Sequence, residues 1–222
     1  MTASSRPLIL EACVETIQQG LLAEKKHADR IEFCQRLDLG GVTPDHDLIR
    51  TMINKITIPV KIMIRPRGGD FIYSDSEIDR MKSDIKYCKS IGVEEVVLGA
   101  LNNDGEVNYS ITQHLAKLAM PMKVTFHKAI DEVSNYMNAL KTLSTMQNID
   151  SVLSSGTKEN ALAGKEYIKI ASEEFSETLN IIAAGSITNT NLKEIHSELN
   201  IKEYHGKKIV GDLILKEYNK RR

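Results

Sequence analysis

VKIMIRPRGGDFIYSDSEIDRMKSDIKYCKSIGVEEVVLGA, residues 60–100, holds one full period of the pattern that decides the fold. VKIMIR (60–65) reads as a strand, DSEIDRMKSDIKYCKSI as the helix after it, and EVVLGA (95–100) as the next strand. A strand, a helix and a strand in this order call for a parallel sheet covered by helices.

The rhythm extends in both directions. LILEAC (8–13) precedes TIQQGLLAEKK, and RIEFC (30–34) precedes PDHDLIRTMINK. Downstream, YSITQHLAKLA leads to KVTFH (123–127), NYMNALKTLSTM to SVLSS (151–155), a helix around 160–175 to NIIAA (180–184), and TNLKEIHSEL to EYH (203–205). Eight such units predict an α/β fold of the closed (β/α)8, TIM-barrel-like kind. An open doubly wound sheet is the alternative, but the first strand lacks the GxGxxG turn that a dinucleotide-binding version favours. The tail GDLILKEYNKRR is short, so the final helix is expected to be short or incomplete.

The 222 residues contain no Ser/Gly/Pro-rich linker, and residues 1–222 are expected to form a single domain. Cys13, Cys34 and Cys88 are too few for a disulfide framework, which fits reduced thiols and a cytoplasmic location. The N-terminal stretch MTASSRPLILEACVETIQ has no signal-peptide pattern, and no apolar run is long enough to span a membrane. A net charge of -1 from 29 basic and 30 acidic residues, with no basic stripe, argues against nucleic acid as a partner.

Strand parity predicts which side chains face the barrel interior. The inward set is Glu11 and Cys13; Arg30, Glu32 and Cys34; Lys61, Met63 and Arg65; Lys123, Thr125 and His127; and Glu203 and His205. So many charges inside a barrel must pair with one another or meet a ligand site. Arg30, Lys61 and Lys123 are candidates to neutralise Glu11, Glu32 and Glu203. Cys13, Cys34, Arg65, His127 and His205 fall at strand ends, the mouth where such barrels collect their functional groups.

In the loop RPRGGDF, Arg65 and Arg67 can recognise a carboxylate or phosphate, Gly68 and Gly69 can form an anion-binding concavity, and Asp70 can hold a guanidinium. The bland alternative is an internal Arg65–Asp70 pair with glycines that only allow the bend. Glu11 or Glu32 as base and His127 as proton carrier would complete a catalytic site for a small anionic metabolite, phosphorylated or carboxylated. Each also fits a packed polar core. A ligand-binding scaffold without chemistry is a third reading.

LEACV (10–14), ADRIEFC (28–34), LGGVTPD (39–45), MIRPRGGDFIYSDSEI (63–78), VTFHKAID (124–131) and SSGTKENAL (154–162) resemble, in order, motifs of the CutC copper homeostasis family. The resemblance implies a cytosolic, homo-oligomeric TIM-barrel protein linked to copper, with Cys13 and Cys34 as the proposed ligands. Cu(I) prefers soft sulfur donors, and Met63 or a histidine can complete such a site. Each cysteine follows the glutamate of its strand by two residues, which favours equal height in the barrel, with barrel stagger as the alternative. His127 and Asp131, the latter a further ligand-binding candidate, are retained in HKAID, where Lys128 and Ile130 depart from the family pattern; AAGSI (183–187) keeps Gly185 but has Ser186 where a glycine is usual. The EYHGK motif supplies His205 as a ligand-binding candidate.

Overall fold

The structure, a computed structural model, describes residues 8–214. Its eight strands are β1 (Ile9–Val14), β2 (Arg30–Phe33), β3 (Val60–Met63), β4 (Glu95–Leu98), β5 (Lys123–Phe126), β6 (Ile149–Ser154), β7 (Asn180–Ala183) and β8 (Glu203–Gly206). They are parallel and pair in chain order, with β8 returning to β1 to close the barrel. The helices between them are α1 (Ile17–Lys25), α2 (His46–Lys55), α3 (Asp75–Ser90), α4 (Tyr109–Ala119), α5 (Tyr136–Ser144), α6 (Lys165–Glu174) and α7 (Leu192–Leu199).

Local sequence explains the element starts. Ser74 and Glu77 form a capping box that opens α3, while the Thr16 and Asn108 side chains cap α1 and α4. The outward strand residues Ile31, Phe33, Ile62, Val124 and Phe126 are buried and join Ile49, Met52, Met81 and Leu115 from the helices in the main core. Beyond β8, residues 207–214 form turns and a bridge from Lys208 to Thr188, without a helix. The rest of the expected final helix lies outside the described residues.

The floor of the barrel is ionic. Arg30 bridges Glu11 at 2.5 Å and Glu203 at 2.7 Å, while Lys61 reaches Glu11 at 3.3 Å and Glu95 at 2.7 Å. Lys61 also donates to Thr125 Oγ1 at 2.8 Å. Burial alone would push Glu11 up and Lys61 down. The facing charges reverse both directions, so the Glu11 carboxyl is held well below its usual range and the Lys61 ammonium above its own.

Two expectations of pairing are corrected here. Lys123 opens β5 at the opposite rim, where its side chain is 64% exposed and pairs with Asp150 instead of a barrel glutamate. Among the described residues Glu32 forms no ion pair with a lysine or arginine, and Glu95 of β4, absent from the expected set, pairs with Lys61.

Candidate functional site

A cavity of about 520 Å³ opens at the C-terminal ends of the strands. Cys13, Glu32, Met63, Arg65, His127 and His205 all line it, so residues from five strands meet at one mouth. Glu11 does not line it. That carboxylate is fully buried beneath His205, with Oε1 2.7 Å from the imidazole Nδ1.

The thiols sit on the β1–β2 side. Cys13 Sγ and Cys34 Sγ are 3.9 Å apart, and Cys13 Sγ is also 3.9 Å from Glu32 Oε1. Their heights differ from the expectation. β1 pairs with β2 in a register that sets Cys13 opposite Glu32, so Cys34 stands two residues higher, just past the end of β2. The chain at Cys34 still follows β1, its N–H bonding Val14 O at 3.1 Å, and its side chain reaches down to Cys13. Barrel stagger displaces the backbones, and the side chains close the gap. Met63 and Val97 complete a small buried cluster with the two cysteines. Cys88, by contrast, is packed in the core from α3.

The loop above the thiols is close-fitting. Gly41 has φ +89°, and a Cβ there would lie 3.2 Å from Cys34 Sγ. Glycine therefore serves both the left-handed turn and the space for the sulfur.

Ionisation follows from these contacts. The hydrogen bond with Cys34 and burial hold the Cys13 thiol well above its usual value, hence neutral. Burial opposes charge on His205, but Glu32, Cys13 and Glu11 outweigh it and raise its pKa well above that of free imidazole. Burial pushes Glu32 up, and its Oε2 has no hydrogen-bond partner. An oxygen or nitrogen from Glu32 and His205 and the Cys13 sulfur all lie within 4.8 Å of one another.

RPRGGDF divides its labour. Arg65 is 5% exposed, and its guanidinium donates to Leu39 O and Gly41 O, each at 3.0 Å, and to Gly69 O at 2.6 Å. Arg67 turns elsewhere. It pairs with Asp70 at 2.9 Å and Glu77 at 2.6 Å and donates to three carbonyls. Neither Arg67, Gly68, Gly69 nor Asp70 lines the cavity, because this network folds the loop back upon the start of α3. Asp131 is likewise spent on structure. Its carboxylate accepts from Ser154 Oγ, from the backbone N–H of Ser155 and Thr157, and from Lys128, fastening the turn after β6.

Three further residues of the mouth carry no site signal in the sequence. Phe71, inside the quoted loop, packs its ring 4.6 Å from Arg65 Cζ and 4.8 Å from the His127 ring centroid. Lys128 lines the cavity, although it was noted only as a departure. Ser186 lines it too and holds φ +56°, a left-handed geometry that favours glycine.

Eight parallel strands closed into a barrel, with paired thiols, a carboxylate and imidazoles gathered at one end, define a TIM-barrel protein with a thiol-bearing mouth. The CutC family pattern matches residues 8–210. A copper homeostasis protein cutC homolog of Homo sapiens is 40% identical over 197 residues, spanning 89% of this chain and 72% of the human one. A CutC family protein of Histophilus somni is 36% identical over 196 residues, spanning 88% and 80% of the two chains. The crystal structure of a CutC protein from Streptococcus agalactiae aligns with a TM-score of 0.85 at 27% identity, over 91% of this chain and 99% of that one. The chain belongs to the CutC family.

Proposed function

We propose that this barrel is a cytosolic copper homeostasis protein that holds Cu(I) between Cys13 and Cys34. The observation that carries the reading is the 3.9 Å separation of the two sulfurs. Two metal–sulfur bonds of ~2.3 Å span that distance at an S–metal–S angle of about 115°, which suits three-coordination better than a linear pair. Met63 and His205 flank the thiols and are the available third donors. Cu(I) favours such soft sulfur ligands, and the relatives named for copper homeostasis support the same assignment. Because the Cys13 thiol is neutral without metal, loading must release protons.

The barrel-enzyme reading has weaker support. Glu11 is sealed within ion pairs, and burial with the nearby Arg65 charge pushes His127 down to about 3, so it carries no imidazolium proton to donate near neutrality. One observation favours a second metal reading: Cys13, Glu32 and His205 form a harder donor set that suits a divalent ion such as Zn²⁺.

X-ray absorption at the copper edge, on protein loaded anaerobically with Cu(I), tests the proposal. Two sulfur scatterers at ~2.3 Å are expected. A shell of nitrogen and oxygen alone would overturn it. Cys34→Ser separates the two metals, since it should abolish tight Cu(I) binding while a Zn²⁺ site on Cys13, Glu32 and His205 would survive.

A further inference from the structure

The cavity is far larger than a metal ion needs, and two side chains of its lining hold hydrogen-bonding capacity that the described residues leave unspent. His127 is 3% exposed, and its Nε2 has no partner among the described residues. Its Nδ1 accepts from the Ala129 N–H at 3.3 Å, which places the ring proton on Nε2. The unpartnered atom is therefore a donor. Arg65 presents a second one. Three of its guanidinium bonds go to carbonyl oxygens, yet its Nε–H has no acceptor, and no carboxylate among the described residues pairs with its charge. Carbonyls satisfy hydrogen bonds without neutralising a cation, so a buried positive charge is left without its counterion.

Both side chains line the cavity and flank one ring. Phe71 packs against both the Arg65 guanidinium and the His127 ring. Gly99 lies behind the imidazole, where a Cβ would come within 2.8 Å of the ring, so the bare backbone seats His127 at this position. Leu153, Ala184 and Ile187 give the cavity an apolar stretch of wall, and Lys128, Lys207 and Lys208 also line it.

We infer that the mouth contains a second binding site, formed by Arg65 Nε–H and His127 Nε2–H over Phe71, for the carboxylate of a small organic monoanion with an apolar body. One cation and two N–H donors match the single charge and two oxygens of a carboxylate. A phosphate dianion would bring more acceptor oxygens than the Arg65 Nε–H and His127 Nε2–H donors satisfy. The apolar wall receives the body of the ligand, as in other small-molecule pockets. This site shares the cavity with Cys13, while Cys34 is buried behind the lining, and it uses neither sulfur.

Benzoate is the probe, with benzamide as its neutral isostere and inorganic phosphate as the competing oxyanion. Binding is followed by calorimetry and by the His127 side-chain ¹⁵N signals, assigned by their loss in His127→Phe. Benzoate should shift the His127 Nε2 signal, and benzamide and phosphate should bind at least about 10-fold more weakly. His127→Phe should weaken benzoate by roughly 10- to 150-fold, the range for a hydrogen bond to a charged group. His127→Gln, whose amide restores a donor, should recover part of that loss. The Cys13→Ser/Cys34→Ser double variant should bind benzoate like the parent, which keeps this result separate from the fate of the copper reading. No His127 shift, equal affinity in His127→Phe, or tighter binding of phosphate than benzoate would overturn the site.

Discussion

Acidification should destabilise the fold through His127 in a way that one substitution removes. Burial, aided by the Arg65 charge, pushes this imidazole down to about 3. In the unfolded chain it titrates near its ordinary value of ~6.5. Between those values the unfolded chain binds a proton that the folded chain refuses, so the stability from neutral His127 is complete above pH ~6.5 and is lost as pH falls. At ~1.36 kcal/mol per pH unit, the loss is about 2 kcal/mol at pH 5 and approaches about 5 kcal/mol near pH 3. The figure at pH 5 is set almost wholly by the unfolded chain. Urea unfolding at pH 8, 7, 6 and 5 should be compared between the parent and His127→Gln. Glu11, Glu32 and His205 are present in both chains, so the difference isolates His127. The parent should lose about 2 kcal/mol more than the variant between pH 8 and pH 5. Parallel curves, agreeing within ~0.5 kcal/mol at every pH, would refute the claim that a neutral, sealed imidazole stands at the mouth.

Lys61→Met leaves Glu11 and Glu95 facing each other without the buried ammonium and should cost about 3–5 kcal/mol in urea unfolding; a loss under ~1 kcal/mol would mean that the floor network is not a set of interdependent ion pairs. Gly41→Ala forces a Cβ toward Cys34 Sγ at a φ of +89° and should weaken Cu(I) binding at least about 10-fold, measured by chelator competition, with about 1–2 kcal/mol lost from stability. Arg67→Ala should lower stability by about 1 kcal/mol while leaving Cu(I) and benzoate affinities unchanged, because its guanidinium is spent on Asp70, Glu77 and local carbonyls; a large loss of either affinity would return Arg67 to the site.

The architecture was legible because each strand carries its own signal. Alternating apolar residues in VKIMIR and KVTFH, separated by helical segments, repeat often enough that closure follows from their number. Register was not legible. Cys13 and Cys34 share the same offset from a glutamate, yet the barrel sets Cys13 opposite Glu32, and nothing within either strand encodes the shear between them. Lys123 failed for the same reason, since parity gives the side of a strand but not the level at which the interior begins. In RPRGGDF, composition announced a special loop but could not divide it: Arg65 reaches the cavity and Arg67 does not, a distinction made by Leu39, Gly41, Glu77 and Asp70. Asp131 likewise looked like a ligand residue from its motif, while its partners after β6 become visible only in three dimensions.

Whether Cys13 and Cys34 act together on Cu(I) is decided by anaerobic titration with Cu(I) against a competing chelator. The parent should bind one Cu(I) tightly, and Cys13→Ser and Cys34→Ser should each lose that same site while remaining folded, as judged by unchanged urea midpoints, because neither sulfur alone supplies the bent pair that their 3.9 Å separation allows. Undiminished stoichiometry and affinity in both serine variants would contradict the account.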